Sequence, residues 1–172
     1  VNLEIRLSPN FTLGELVHSD TAVRLGIDNT PPAEVLPHLE VLAQGLEQIR
    51  GILGFPVVVV SGYRCEALER ILCWRDFMRW AARRSRDADE AAWADYFASK
   101  AHPRGFAGDW VCRRYGPPRA CIEEIVRAER VRFDQLIEEG TWAHTSFDPR
   151  LRGEILTARF VNGTPTYVEG LA

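Results

Sequence analysis

Long uncharged apolar runs are missing from this chain of 172 residues. The longest, Phe55 to Gly62, falls far short of the roughly 20 apolar residues that a helix needs to cross a bilayer, so no membrane span is expected. Residues Val1 to Asn10 carry charges and no apolar core, so no signal peptide is read there and the chain is expected to be cytoplasmic as synthesised. Cysteine is sparse. Cys65, Cys73, Cys112 and Cys121 include no C-x-x-C pair, which removes zinc knuckles and dithiol redox motifs, and the four are expected to be free, mostly buried thiols in a reducing compartment. A basic excess is also lacking: the formal net charge is −3, against the positive balance of a general nucleic-acid binder. What is present, 46% apolar and 26% charged residues, is the composition of one soluble globular domain over 1–172.

Helical signals crowd the first two thirds of the chain. Thr12 stands three residues before Glu15, a capping-box pattern for a short helix within Phe11 to His18. After the breaker cluster Asn29 to Pro32, apolar residues at helical spacing predict a helix from about Pro32 to Leu53, with Pro37 kinking it or marking its first turn and Gly54 closing it. Pro56 to Val60 reads as a short buried strand that delivers Ser61-Gly62-Tyr63-Arg64 at its end. Helices are expected over Glu66 to Arg84, Glu90 to Lys100, and Pro117 to Arg130, with a strand over Ala107 to Cys112. Two hairpins are expected to follow. Phe133 to Glu139 joins Trp142 to Phe147 through Gly140-Thr141, and Glu154 to Val161 joins Thr166 to Val168 through a turn at Asn162-Gly163. Helices first and strands last predict an α+β domain.

Histidine is scarce: there are four. His18 and His38 lie on early helical segments without a second histidine nearby and read as ordinary helix-face residues. His102 precedes Gly105 and Gly108, which let the backbone turn sharply into a strand holding Asp109. His144 shares a strand face with Trp142 and Ser146. A two-residue loop at Gly140-Thr141 would pair Glu139 with Trp142 and Glu138 with Ala143. Glu139 and Gln135 then fall on the His144 face, and Glu139 is the better candidate for a general base; a slip of one residue would favour Glu138 instead. Arg64, leaving the end of a strand, suits a bidentate clamp on a carboxylate.

In order along the chain, Phe11-Thr12-Leu13-Gly14-Glu15-Leu16, Ser19-Asp20-Thr21-Ala22, Leu25-Gly26-Ile27-Asp28-Asn29, Ser61-Gly62-Tyr63-Arg64, His102-x-x-Gly105-x-Ala107-x-Asp109, Phe133-Asp134-Gln135-Leu136-Ile137 and Trp142-x-His144-x-Ser146 resemble the M15 zinc peptidases, the D-Ala-D-Ala carboxypeptidase-like group, in its bacterial and prophage branch. The resemblance implies an antiparallel sheet with flanking helices, Hedgehog/DD-peptidase-like. It implies one zinc ion held by His102, Asp109 and His144, with Arg64, Gln135, Trp142 and Ser146 toward the substrate and an acidic residue shortly before His144 as the base. The implied substrate is a peptidoglycan stem peptide, cut in D-Ala-D-Ala carboxypeptidase or L-Ala-D-Glu endopeptidase fashion, and the chain would reach the cell wall by phage-assisted release or from a longer exported form.

Three departures accompany the resemblance. Thr141 stands where several family members carry the catalytic acid, Lys100 stands where a serine is usual, and 66–100 reads as an extra helical insertion. A catalytically degenerate domain that binds cell-wall peptide without cleaving it is therefore the alternative. Trp74, Arg75, Arg79, Trp80, Arg83, Arg84 and Arg86 raise a nucleic-acid reading, but Arg64 to Arg104 holds nine basic against seven acidic residues, a balance of only +2, so no nucleic-acid partner is expected.

Overall fold

The computed structural model describes residues 2–161 and 164–171. The elements, in chain order, are β1 (Arg6–Ser8), β2 (Phe11–Thr12), α1 (Leu13–Val17), α2 (Asp20–Leu25), a 3-10 turn (Ala33–Val35), α3 (Leu36–Leu53), β3 (Val58–Ser61), α4 (Glu66–Ala82), α5 (Glu90–Ala98), β4 (Ala107–Val111), α6 (Pro118–Ala128), β5 (Gln135–Glu138), β6 (Ala143–Ser146), β7 (Glu154–Val161) and β8 (Thr164–Glu169). Helices and a six-stranded sheet, with a separate two-stranded β1-β2 ribbon, make a mixed architecture consistent with α+β.

Local chemistry explains most boundaries. The Thr12 hydroxyl accepts from Glu15 N while the Glu15 carboxylate accepts from Thr12 N, the reciprocal cap the spacing predicts. In α3 the helix proper starts at Leu36, with Pro37 in its first turn, where a missing N–H costs nothing. Gly54 ends it at φ 69°, a left-handed conformation that glycine adopts without steric penalty. The turn expected at Asn162-Gly163 lies outside the described residues.

The large sheet has the order β3-β4-β6-β5-β7-β8. Two expectations are corrected by it. The sheet is mixed rather than antiparallel, because β5 and β7 run parallel, Gln135 beside Glu154 through Glu138 beside Thr157. The chain leaves β6 at Ser146, next to the start of β5, and crosses that end to begin β7 there, so β7 must run with β5. Buried Asp134 and Asp148 fix this crossing: Asp134 accepts from Arg152 N, Nε and Nη2, and Asp148 from Arg150 N and Nε. Second, β3 is an edge strand and not a buried one; Val58 and Val60 are 56% and 49% exposed. All four cysteines are free, Cys112 and Cys121 buried and Cys65 and Cys73 half-buried.

The main core gathers Leu39, Leu42, Ala43, Leu46, Ile49 and Leu53 of α3, Cys121, Ile122 and Ile125 of α6, and Trp110, Leu136 and Ala143 of the sheet. A second, aromatic cluster of Phe77, Ala81, Ala92, Trp93 and Tyr96 welds α4 to α5. Leu46 is completely buried in the main core. Leu46→Ala is expected to remove about 2–5 kcal/mol of stability through the cavity it leaves, read from urea unfolding. Among the described residues no helix is long and apolar enough to cross a membrane.

Candidate metal centre and its cavity

Strand pairing builds the centre. Antiparallel β4 and β6 set Asp109 directly opposite His144, and Ser61 at the end of β3 lies on the other side of Asp109. His102 arrives from the turn after α5, which closes with Gly105 N donating to His102 O and Phe106 N to Ala101 O. The His102 ring is then fixed by the backbone: Nδ1 lies 2.7 Å from the Gly62 carbonyl oxygen. A carbonyl only accepts, so Nδ1 carries the proton and Nε2 faces the centre with its lone pair, the arrangement typical of a metal-ligating histidine.

One carboxylate oxygen, Asp109 Oδ1, sits 2.8 Å from His144 Nδ1 and 3.3 Å from His102 Nε2. The three ligand atoms lie within 4.8 Å of one another, and His102, Asp109 and His144 could hold a metal ion. Donors around a tetrahedral zinc at 2.0–2.1 Å would stand roughly 3.3 Å apart, so small side-chain adjustments suffice. Two nitrogens and one oxygen match a catalytic zinc, which takes three protein ligands and leaves a position open.

Burial, and after it Arg64's charge, lower the His102 pKa. Burial works against an ionised Asp109, but the charge and hydrogen bond that His102 offers when protonated, together with the His144 hydrogen bond, outweigh it and hold Asp109 well below the usual carboxylate range. Asp134 and Asp148 are lowered too, their burial outweighed mainly by Arg152 and Arg150 respectively. All four shifts have one sign. A depressed folded-state pKa means that the unfolded chain takes up protons first, so stability is full above the unfolded value and falls as pH drops. Without metal, the melting temperature should begin to fall below about pH 6.5 through His102 and fall further below about pH 4 through the acids. Thermal unfolding in a chelator from pH 8 to 3 measures this.

Arg64 closes the centre from behind. Nη2 donates to Asp109 Oδ2 at 2.7 Å, Nε to Ser61 Oγ at 3.0 Å, and Nη1 lies 3.5 Å from Glu69 Oε2. Glu69 is 1% exposed and its Oε2 has no hydrogen bond.

The cluster opens into a cavity of about 800 Å³, lined on one side by α4 and the segment after α5 and on the other by β7 and β8. Glu139, Gln135, Trp142 and Arg64 all reach its wall. The hairpin takes the register that pairs Glu138 with Ala143, so Glu139 shares the His144 face and Glu138 does not. Glu139 is held at both oxygens, by Trp142 Nε1 at 2.6 Å and Tyr167 Oη at 3.2 Å. Gln135 donates to Glu154. Ser146 is not brought to the cavity: it is completely buried, and its hydroxyl accepts from Asp148 N.

Several wall residues had no mark in the sequence. Glu69, Asp76 and Tyr167 lie on segments whose pattern gives a helix or a strand but not the face turned to the centre. His38 stays outside the site, stacked on Phe106 and bonded to the Arg104 carbonyl.

Residues 9–73 match the family model described as Peptidase M15. That match covers the N-terminal part of the chain and is a likeness to the M15 peptidases. The matched stretch contains α1, α3, β3 and Arg64 and stops before His102, so the metal-ligating reading of the His-Asp-His cluster rests on geometry. No match is found among curated proteins or among solved structures.

Proposed function

We propose that this chain is a zinc-dependent peptidase that hydrolyses peptidoglycan stem peptides, with His102, Asp109 and His144 as the metal ligands. The observation that carries the reading is the convergence of these three side chains, buried and within 4.8 Å, at the floor of an 800 Å³ cavity in a chain that matches the M15 peptidases. Zinc bound there would supply Lewis acidity toward a scissile carbonyl and toward water. The remaining steps belong to protein side chains. Glu139 takes a proton from the attacking water and returns it to the leaving amine. Trp142 and Tyr167, which bind the two Glu139 oxygens, aim the carboxylate. Arg64 orients Asp109 through Oδ2, and its N–H groups left over from Ser61 and Asp109 hold a peptide carboxylate. Gln135 and Trp142 contribute further wall contacts.

Elemental analysis of the purified protein beside His144→Ala tests the assignment. About one zinc per chain, lost in the variant, is the expected result. A wild-type chain that takes up no zinc even when it is added back would leave a degenerate peptide-binding domain as the better account.

A further inference from the structure

The two sides of the cavity differ in chemistry. On the β7-β8 side stand Leu156, Phe160, Pro165 and Tyr167. On the other, α4 turns Leu72, Arg75, Asp76 and Arg79 toward the space, residues spaced so that they share one helical face, and Lys100 joins them from beyond α5. The charges on this second wall do not balance. Asp76 is its one acid near the rim, and it is shared by Lys100 at 3.0 Å, Arg79 at 3.5 Å and the Tyr96 hydroxyl at 2.7 Å. Arg75 is exposed and has no hydrogen bond or ion pair among the described residues. Three cations of this wall thus face the cavity beside two carboxylates, Asp76 and the buried Glu69, whose neighbouring cation is Arg64. The cations of the crossing loop differ in this respect: Arg152 is tied to Asp134 and Glu154, and Arg150 to Asp148. Arg64, at the floor, gives N–H groups to Asp109 and Ser61 and keeps only the rest for the first carboxylate.

We infer that Arg75, Arg79 and Lys100 form a second carboxylate subsite, so that the cavity selects peptides with an acidic side chain beside the residue presented to the metal centre. The inference rests on the reading of this cavity as a peptide site. Arginine suits the role because its planar fork meets a carboxylate with two parallel hydrogen bonds, and an uncharged primary amide of the same shape forfeits the charge-assisted part. The apolar wall opposite would receive the aliphatic part of the same peptide.

The test uses two probes that differ in one group, L-alanyl-D-glutamate and its side-chain amide, titrated calorimetrically into the zinc-loaded chain and into an Arg75→Ala/Arg79→Ala variant. Zinc content and melting temperature confirm that the variant is folded. The wild type should prefer the acid by about tenfold or more, and the preference should collapse toward unity in the variant. A wild type that does not discriminate, or a preference that persists in the variant, overturns the subsite. So does heparin competing with the acid probe at equal charge concentration, which would mark a general polyanion patch. Absence of zinc from the wild-type chain sinks the peptidase reading; zinc present without discrimination sinks only the subsite.

Discussion

Glu139→Gln should lower kcat on a cleavable stem peptide by about 10²–10⁴-fold while leaving the bound zinc in place. Glutamine keeps the shape of the side chain: its Oε1 can accept from Trp142 Nε1 and its amide N–H can donate to Tyr167 Oη, so the hairpin and the metal centre should stay intact. What it loses is the capacity to take a proton. The neighbouring Glu138→Gln is the control: Glu138 points to the other face of the sheet, and its carboxylate accepts from Gly140 N. Single-turnover rates beside elemental analysis separate the outcomes. Full activity in both variants would remove glutamate from the mechanism, and loss of zinc in Glu139→Gln would reassign it to the metal's surroundings.

The second large effect is expected at a glycine that touches no substrate. A Cβ on Gly62 would stand 2.1 Å from the Leu16 carbonyl oxygen, a backbone atom that also accepts from Tyr63 N. Neither partner is a flexible side-chain tip, so Gly62→Ala must push the end of β3 away from α1. Overpacking of this kind costs about 1–3 kcal/mol or more. The Gly62 carbonyl is also what holds His102 Nδ1. Displacing it should weaken zinc binding by about 10–100-fold, the usual penalty for losing the partner that orients a ligating histidine. Denaturant unfolding and a zinc competition titration measure the two consequences separately. A destabilised protein with unchanged zinc affinity would show that the carbonyl does not orient the ring.

Much of this centre was legible from local rules. A two-residue loop dictates the β5-β6 register, and that register places Glu139 on the His144 face. The Thr12-Glu15 cap and the span of α3 likewise follow from short-range spacing. Illegible features are the ones decided by non-local neighbours. Four consecutive valines look the same at the centre of a sheet and at its edge, and only the partners of β3 decide that Val58 and Val60 face solvent. The parallel partner of β5 is chosen by a crossing that Asp134 and Asp148 anchor, and no periodicity marks it. Strand alternation puts Ser146 on the face of His144 but says nothing of how far along that face the cavity reaches. For α4, composition predicts a helix, while packing of Phe77, Trp93 and Tyr96 selects the face that looks into the cavity.

The pairing of β4 with β6 joins residues 35 apart in the chain, and the ring of His102 is held by a carbonyl 40 residues earlier. His102 and Asp109 share one short stretch, but no short stretch of the chain contains all three ligands. Ion capture at the proposed site would therefore come late in assembly, after the slow long-range contacts have closed. A zinc-sensitive dye added during refolding would then act as a stopwatch for completion of the sheet, lagging behind the helical signal that local contacts produce early.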